Sequence, residues 1–284
     1  MKSSPCLILS DAEVIASRLA ELATQALLDE ARLSPKPGLV DARGSGAHQD
    51  LTLALMERSA HSLAPVFYQL AIASWQRPAD IALRQEIGRI GREGERLMMA
   101  ATAGVNTHRG AIWALGLLVT AVAMCGGDAT PFNSCALAAQ LAQLPDHASP
   151  KLFSKGLRAT QRYQVSGARE EAQQGFPHVL QRALPQLWQS RARGGSEQAA
   201  QIDALMAVMT TLSDTCVLSR GGLPALKAMQ QGAVEVLQAG GFQHPAGQAA
   251  LTRLEQQLLA RNASPGGAAD LLAAALFLDR ATAH

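Results

Sequence analysis

Residues 111–125 read AIWALGLLVTAVAMC, a run with no charged side chain. A helix built from it is apolar on every face and has to be buried. It is too short to cross a bilayer, so it belongs in a protein core, and the rest of the chain has to wrap it. Immediately before it, GREGERLMMAATAGVNTHRG carries a carboxylate-bearing helix through Glu93 and Glu95, stops at Gly104, and exposes Asn106, Thr107, His108 and Arg109 in a hinge. Polar groups held between two helices that need burial must find partners or bind something. The simpler reading is a turn whose Asn and Thr bond their own backbone and cap the next helix.

Alternating β-branched runs with hairpin turns are absent, and 48% hydrophobic but only 4% aromatic residues favour helix over sheet. The expected fold is all-α, a single compact domain of about ten helices spanning residues 1–284. A net charge of +2 with scattered Lys and Arg leaves no basic stripe, which argues against nucleic acid. Cys6, Cys125, Cys135 and Cys216 show no paired metal spacing and read as reduced thiols. The apolar run at 7–9 is too short for a signal peptide, so a cytoplasmic protein without a membrane partner is expected.

In chain order, Ser10 and Glu13 have capping-box spacing before a helix over 11–32, which ends at SPKPG. The glycine-rich loop that follows carries Lys36, Asp41, Arg43, His48 and Asp50, either as a surface connection with Asp50 as the next N-cap or as a functional loop. Helices are expected over 51–75 with a break near Pro65, over 80–102, over 133–144, and over 149–160 unless that stretch is a looser connection. On the second of these, Glu86 and Glu93 share a face, Glu93 approaches the hinge, and Glu95 points elsewhere. A short helix in 166–177 carries Arg169, Glu170 and Glu171, and helices are expected over 196–212, 224–239 and 245–261. Two glycine-bearing stretches remain. DTCVLSRGG at 214–222 offers Asp214, Ser219 and Arg220 beside Gly221 and Gly222, to meet a phosphate or metal or simply to cap and turn. NASPGGAADLL at 262–272 opens a helix at Gly266 and Gly267, where free N–H groups favour an anion, with Asp270 in the first turn to satisfy them or hold a cation.

Together, SPKPGLVDARGSGAHQD, GREGE with ATAGVNTHRGAIWALGLL, GAREEAQQGFP, DTCVLSRGG and SPGGAADLL resemble, in order and over residues 34–272, the triphosphoribosyl-dephospho-CoA synthase family. Cys216, Ala268 and Glu170 depart from that pattern, which has Asn, Ser and Gly there. The resemblance supports the all-helical reading. It implies transfer of the 5-triphosphoribosyl group of ATP, with Mg²⁺, to the 2′-hydroxyl of 3′-dephospho-CoA, releasing adenine. The product would pass to a transferase acting on the acyl-carrier subunit of malonate decarboxylase or citrate lyase, the former preferred.

On that implied chemistry, Lys36, Arg109, Arg220, Gly221, Gly222 and the Gly266-Gly267 helix start are assigned to phosphates. Asp41, Glu93 and Asp214 are the carboxylates for base or metal work, with Glu93 and Asp214 the metal pair. His48, Asn106, Thr107 and His108 orient the nucleotide or donate to the leaving adenine, His108 and Asn106 within the catalytic set. Asp50, Glu95, Arg169, Glu171 and Asp270 are further substrate contacts. An all-α metal-dependent nucleotide hydrolase and a non-enzymatic carrier of a CoA derivative are the rival readings.

Overall fold

The computed structural model describes residues 10–149 and 155–282, and apart from one isolated bridge between Asp41 and Gly44 every regular element among them is helical. Cys6, the run at 7–9 and part of the 149–160 stretch lie outside the described residues. The first helix, α1 (Asp11–Arg32), opens with the expected capping box: Ser10 takes the Glu13 N–H, and the Glu13 carboxylate accepts from the Ser10 N–H at 2.8 Å. The 51–75 segment divides into α2 (Leu53–Ser62) and α3 (Ala64–Ser74). Pro65 stands in the first turn of α3, where its missing N–H breaks no helical bond. Asp80 caps α4 (Ile81–Ala101) by accepting from the Leu83 N–H at 2.7 Å.

The apolar run forms α5 (Arg109–Met124), buried without interruption from Ala114 through Ala123. It is followed by α6 (Pro131–Gln143), α7 (Lys155–Tyr163) and the short α8 (Ala168–Gln173). No local sequence signal marks a helix in residues 178–195, yet a π-turn at Val179–Ala183 leads into α9 (Leu184–Ala192). Pro185 lies at the start of α9, and the widened turn before it accommodates a residue that an unbroken α-helix would reject. Beyond come α10 (Glu197–Met209), α11 (Thr215–Gln238), α12 (Pro245–Ala260) and α13 (Gly266–Ala281).

DTCVLSRGG is therefore not a loop. It is the first arm of α11, which kinks at Gly222 (φ 64°, ψ −164°), a backbone geometry that Gly adopts without a Cβ clash. Pro224 then restarts the helix. α5 packs on α3, α6 and α13, and α13 packs on α1 and α10. One continuous apolar cluster runs from Ala16 in α1 to Ala281 in α13. Leu115, Leu118 and Leu276 are fully buried within it, and truncating one such Leu to Ala costs about 2–5 kcal/mol. Small residues set the helix spacing: a Cβ on Gly116 would stand 3.3 Å from Leu70, and one on Gly94 would stand 2.8 Å from Val66. Among the described residues no helix is long and apolar enough to cross a membrane.

Candidate active site

The first turns of α5, α11 and α13 meet at a cleft of about 230 Å³, with Gly110, Asp214, Thr215, Gly267 and Asp270 on its walls. Each first turn presents N–H groups without helical partners and the positive end of a helix dipole. Asp214 is buried and ties two of them together. One oxygen accepts from the N–H groups of Cys216 and Val217 at 2.8 and 3.2 Å, and the other from Ala268 at 2.9 Å. Burial still outweighs these bonds and raises the Asp214 pKa.

Asp270 is partly open to the cleft and lies so close to Gly110 that a Cβ there would overlap its carboxylate. Desolvation, then the charges of Glu30 and Asp214, push its pKa well above the usual carboxylate range, opposed by the Ala111 N–H. The facing wall holds Glu171, which accepts from the His178 N–H at 2.9 Å and pairs with His178 Nδ1 at 2.7 Å.

Behind the cleft is a buried polar layer. The Lys36 ammonium donates to the Glu30 carbonyl at 2.5 Å and to the Glu30 carboxylate at 2.6 Å. That ion pair is closed to solvent, so the Lys36 charge is already neutralised inside the protein. His108 Nδ1 is 2.7 Å from Ser59 Oγ, which in turn is 2.6 Å from Thr107 Oγ1. Its Nε2 is buried with no hydrogen-bond partner. Burial and then the Lys36 charge depress the His108 pKa to about 3, so the ring is neutral.

The loop after α1 is bound mainly to itself and to the 262–264 turn. Asp41 accepts from the N–H groups of Lys36 at 2.9 Å and Arg43 at 2.8 Å, and the Arg43 guanidinium bridges Asp41 to Glu255. Burial works against the Asp41 charge, but Arg43 and the two N–H groups prevail and hold its pKa below the usual range. His48 Nε2 lies 2.8 Å from Ser264 Oγ. Arg220 donates to the Ala47 carbonyl, to the Asn262 carbonyl at 2.9 Å, and to the Asn262 side chain at 3.1 Å. Gly38 (φ +73°) presses on the Ala263 carbonyl, a contact that leaves no room for a side chain. Asp50 is exposed, 3.8 Å from His48.

At the hinge, Asn106 accepts from the Arg109 N–H at 3.3 Å, the capping role its type suggests. The carboxylate that reaches Arg109 is Glu95, at 3.0 Å, and not Glu93 as the sequence suggests. Helical geometry explains the exchange: Glu93 lies about 200° around α4 from Glu95 and pairs with Arg96. Glu95 shares a stripe with Arg84, Gly88 and Gly91 along a second groove. Arg169 lines the adjoining end of that groove with Trp113 and Asp146.

The structure thus brings Asp214, Asp270, Gly267 and Glu171 to one cleft, and leaves Asp41, Lys36, His48 and Arg220 in internal contacts. Gly221 packs on the Arg261 carbonyl, Gly222 supplies the kink, and Gly266 sits against Cys216 Sγ. Among the described residues no group of three or more His, Cys, Asp or Glu is arranged to hold a metal. Glu30, Ser59, Arg84, Asp146 and His178 were not singled out from sequence. Nothing in the local sequence separates them from ordinary surface polar residues, and only the packing partner reveals each.

The chain matches, over residues 16–284, the model of the CitG family, ATP:dephospho-CoA triphosphoribosyl transferase. It is similar to a 2-(5''-triphosphoribosyl)-3'-dephosphocoenzyme-A synthase of Klebsiella pneumoniae, 69% identical over 95% of this chain and 96% of the relative. A protein of Pseudomonas syringae pv. syringae with the same name marked probable is 59% identical over 93% of this chain and 91% of its own. Another from Stutzerimonas stutzeri is 56% identical over 97% and 96%. No solved structure matches. With the model and these relatives covering nearly its whole length, the chain belongs to the ATP:dephospho-CoA triphosphoribosyl transferase family.

Proposed function

We propose that this protein transfers the triphosphoribosyl group of ATP to the 2′-hydroxyl of 3′-dephospho-CoA and releases adenine. In that reaction the bond between the ribose anomeric carbon and the adenine nitrogen breaks, and a bond from the same carbon to the acceptor oxygen forms. The acceptor proton must leave and the departing base must gain one. Positive charge develops on the ribose in between, by analogy with other glycosyl transfers.

Asp270 carries the reading. It is a carboxylate facing a cleft enclosed by the first turns of α5, α11 and α13, so the positive ends of three helix dipoles are directed at a bound triphosphate. A raised pKa makes it a stronger base than an ordinary aspartate once ionised, and its charge also stabilises the cationic ribose. Asp270 therefore takes the acceptor proton. His178, held through Nδ1 by Glu171, serves the leaving adenine. Asp214 is a positioning residue that fixes α11 against α13, since its two oxygens are occupied by backbone N–H groups. Mg²⁺ enters with ATP as part of the substrate, held by the triphosphate oxygens. Family kinship supports the substrate pair, and the finer reading is that the product goes to a second transferase for the acyl-carrier subunit of malonate decarboxylase, with citrate lyase the other destination.

The test is to incubate the protein with ATP, Mg²⁺ and 3′-dephospho-CoA and to follow adenine and product mass together. Adenine plus a dephospho-CoA adduct heavier by one triphosphoribosyl unit is the expected result. Adenine with free triphosphoribose would mean hydrolysis, and binding without adenine would mean a carrier. Either would overturn the reading.

A further inference from the structure

Trp113 stands between the cleft and the second groove and lines both. On the groove side, Arg84 lies over the Trp113 ring, 5.5 Å from its centre. Its side chain is only 8% exposed, and its Nε has no hydrogen-bond partner. Arg84 and Arg92 both lean on one carboxylate, Asp146, at 3.3 and 2.7 Å. Arg169 lines the same space and its charge acts on Arg84. Glu95, the other acid at this groove, is paired with Arg109. Four guanidinium groups therefore face two carboxylates around a buried donor with nothing to donate to, a charge balance that calls for an anion.

Past the arginines the character of the groove changes. Leu70, Ile87, Ile112 and Leu117 form an apolar floor, opened by glycines of α4 and α5. Gly91 faces empty space: a Cβ built there meets nothing within 4 Å. Trp113 therefore has the cleft of Asp270 on one side and, on the other, a groove that holds both the clustered arginines and the apolar trough.

We infer that this groove is the acceptor subsite, with Arg84, Arg92 and Arg169 holding the diphosphate of 3′-dephospho-CoA and the apolar floor holding its pantetheine arm. The inference rests on the transferase reading above and adds the direction in which the acceptor lies. Dephospho-CoA has the matching groups, a ribose, then a diphosphate, then a long arm whose gem-dimethyl and methylene groups are apolar between its two amides. ATP ends at its triphosphate, and its one apolar group, adenine, is attached to the reacting anomeric carbon and so stays at the cleft. ATP is accordingly left with the cleft and its helix N-termini.

The experiment compares wild type with Arg169→Ala, Arg92→Ala and Gly91→Leu, measuring the KM of each substrate and the Kd of 3′-dephospho-CoA in the absence of ATP by calorimetry. Losing one charge-assisted contact should raise the KM and Kd for dephospho-CoA about tenfold, with the KM for ATP within about twofold. Gly91 is helical and its Cβ position is open, so Gly91→Leu keeps the α4 backbone, and the thermal transition of each variant is recorded alongside. Gly91→Leu should weaken dephospho-CoA while leaving the affinity for ADP, which lacks the pantetheine arm, unchanged. Turnover with unaltered dephospho-CoA parameters in all three variants, or a selective rise in the KM for ATP, would overturn the subsite. If wild type binds dephospho-CoA without turnover and the variants lose that binding, the transferase reading fails and the subsite stands.

Discussion

Two regions of this protein are built from the same residue types and end in opposite electrostatic states. In the loop after α1, Asp41 is held by Arg43 and two N–H groups, Arg43 reaches on to Glu255, and His48 meets Ser264. The consequence is a carboxylate with a lowered pKa and a loop fastened to the 262–264 turn. In the cleft, Asp270 has the Ala111 N–H against it and two other acids behind it, and its pKa is driven up. A satisfied network rigidifies, whereas an under-satisfied carboxylate stores the capacity to take a proton. Glycine-rich sequence is common to both and does not tell them apart.

The largest expected effect lies in the cleft. Asp270→Asn should lower kcat about 10²- to 10⁴-fold with the thermal transition of the protein little changed, measured by adenine release and calorimetry side by side. Asp41→Ala should show the reverse pattern. Leaving two N–H groups and part of Arg43 unpaired costs about 3 kcal/mol, read as a lower denaturation midpoint, while kcat of the folded fraction stays within about threefold. Were Asp41→Ala to lose activity at full stability, the contrast between the two regions would be gone.

His108 gives a smaller and pH-dependent effect. Its folded pKa is about 3 and its ordinary value 6.5, so below about pH 6.5 the unfolded chain binds a proton that the folded one refuses. Stability is therefore full above that pH and falls as pH drops toward 3, by about 1.4 kcal/mol per unit. Urea midpoints at pH 7 and pH 5 should reveal the loss, and His108→Gln should flatten it. The smallest effect is at Gly91, where Ala should stabilise α4 by about 0.5–1 kcal/mol and raise Tm by about 2 °C. A drop in Tm would show that the groove wall needs the glycine.

The helices were legible wherever one local signal decided them. The Ser10–Glu13 box, the Asp80 cap and the uninterrupted apolar face of 111–125 are such signals. Residues 178–195 were not, because Pro185 looks like a stop until the π-turn before it is seen. Asp214, Gly267 and Asp270 were named from sequence because glycines and an acid cluster beside a helix start, and the structure gathers them from α11 and α13. What sequence withheld was pairing. Glu30 looks like a surface acid of an amphipathic helix, and its burial against Lys36 depends on contacts between elements. The choice between Glu93 and Glu95 turned on which face of α4 meets the α5 hinge, a fact of tertiary packing.

The most direct test of the central claim is the pH dependence of kcat. With Asp270 as the base, activity must fall as pH drops through the raised pKa of its carboxyl, so an acid limb should appear above the ordinary carboxylate range and vanish in Asp270→Asn. A limb at an ordinary aspartate value, or one that persists in Asp270→Asn, would contradict the assignment of the chemistry to the cleft.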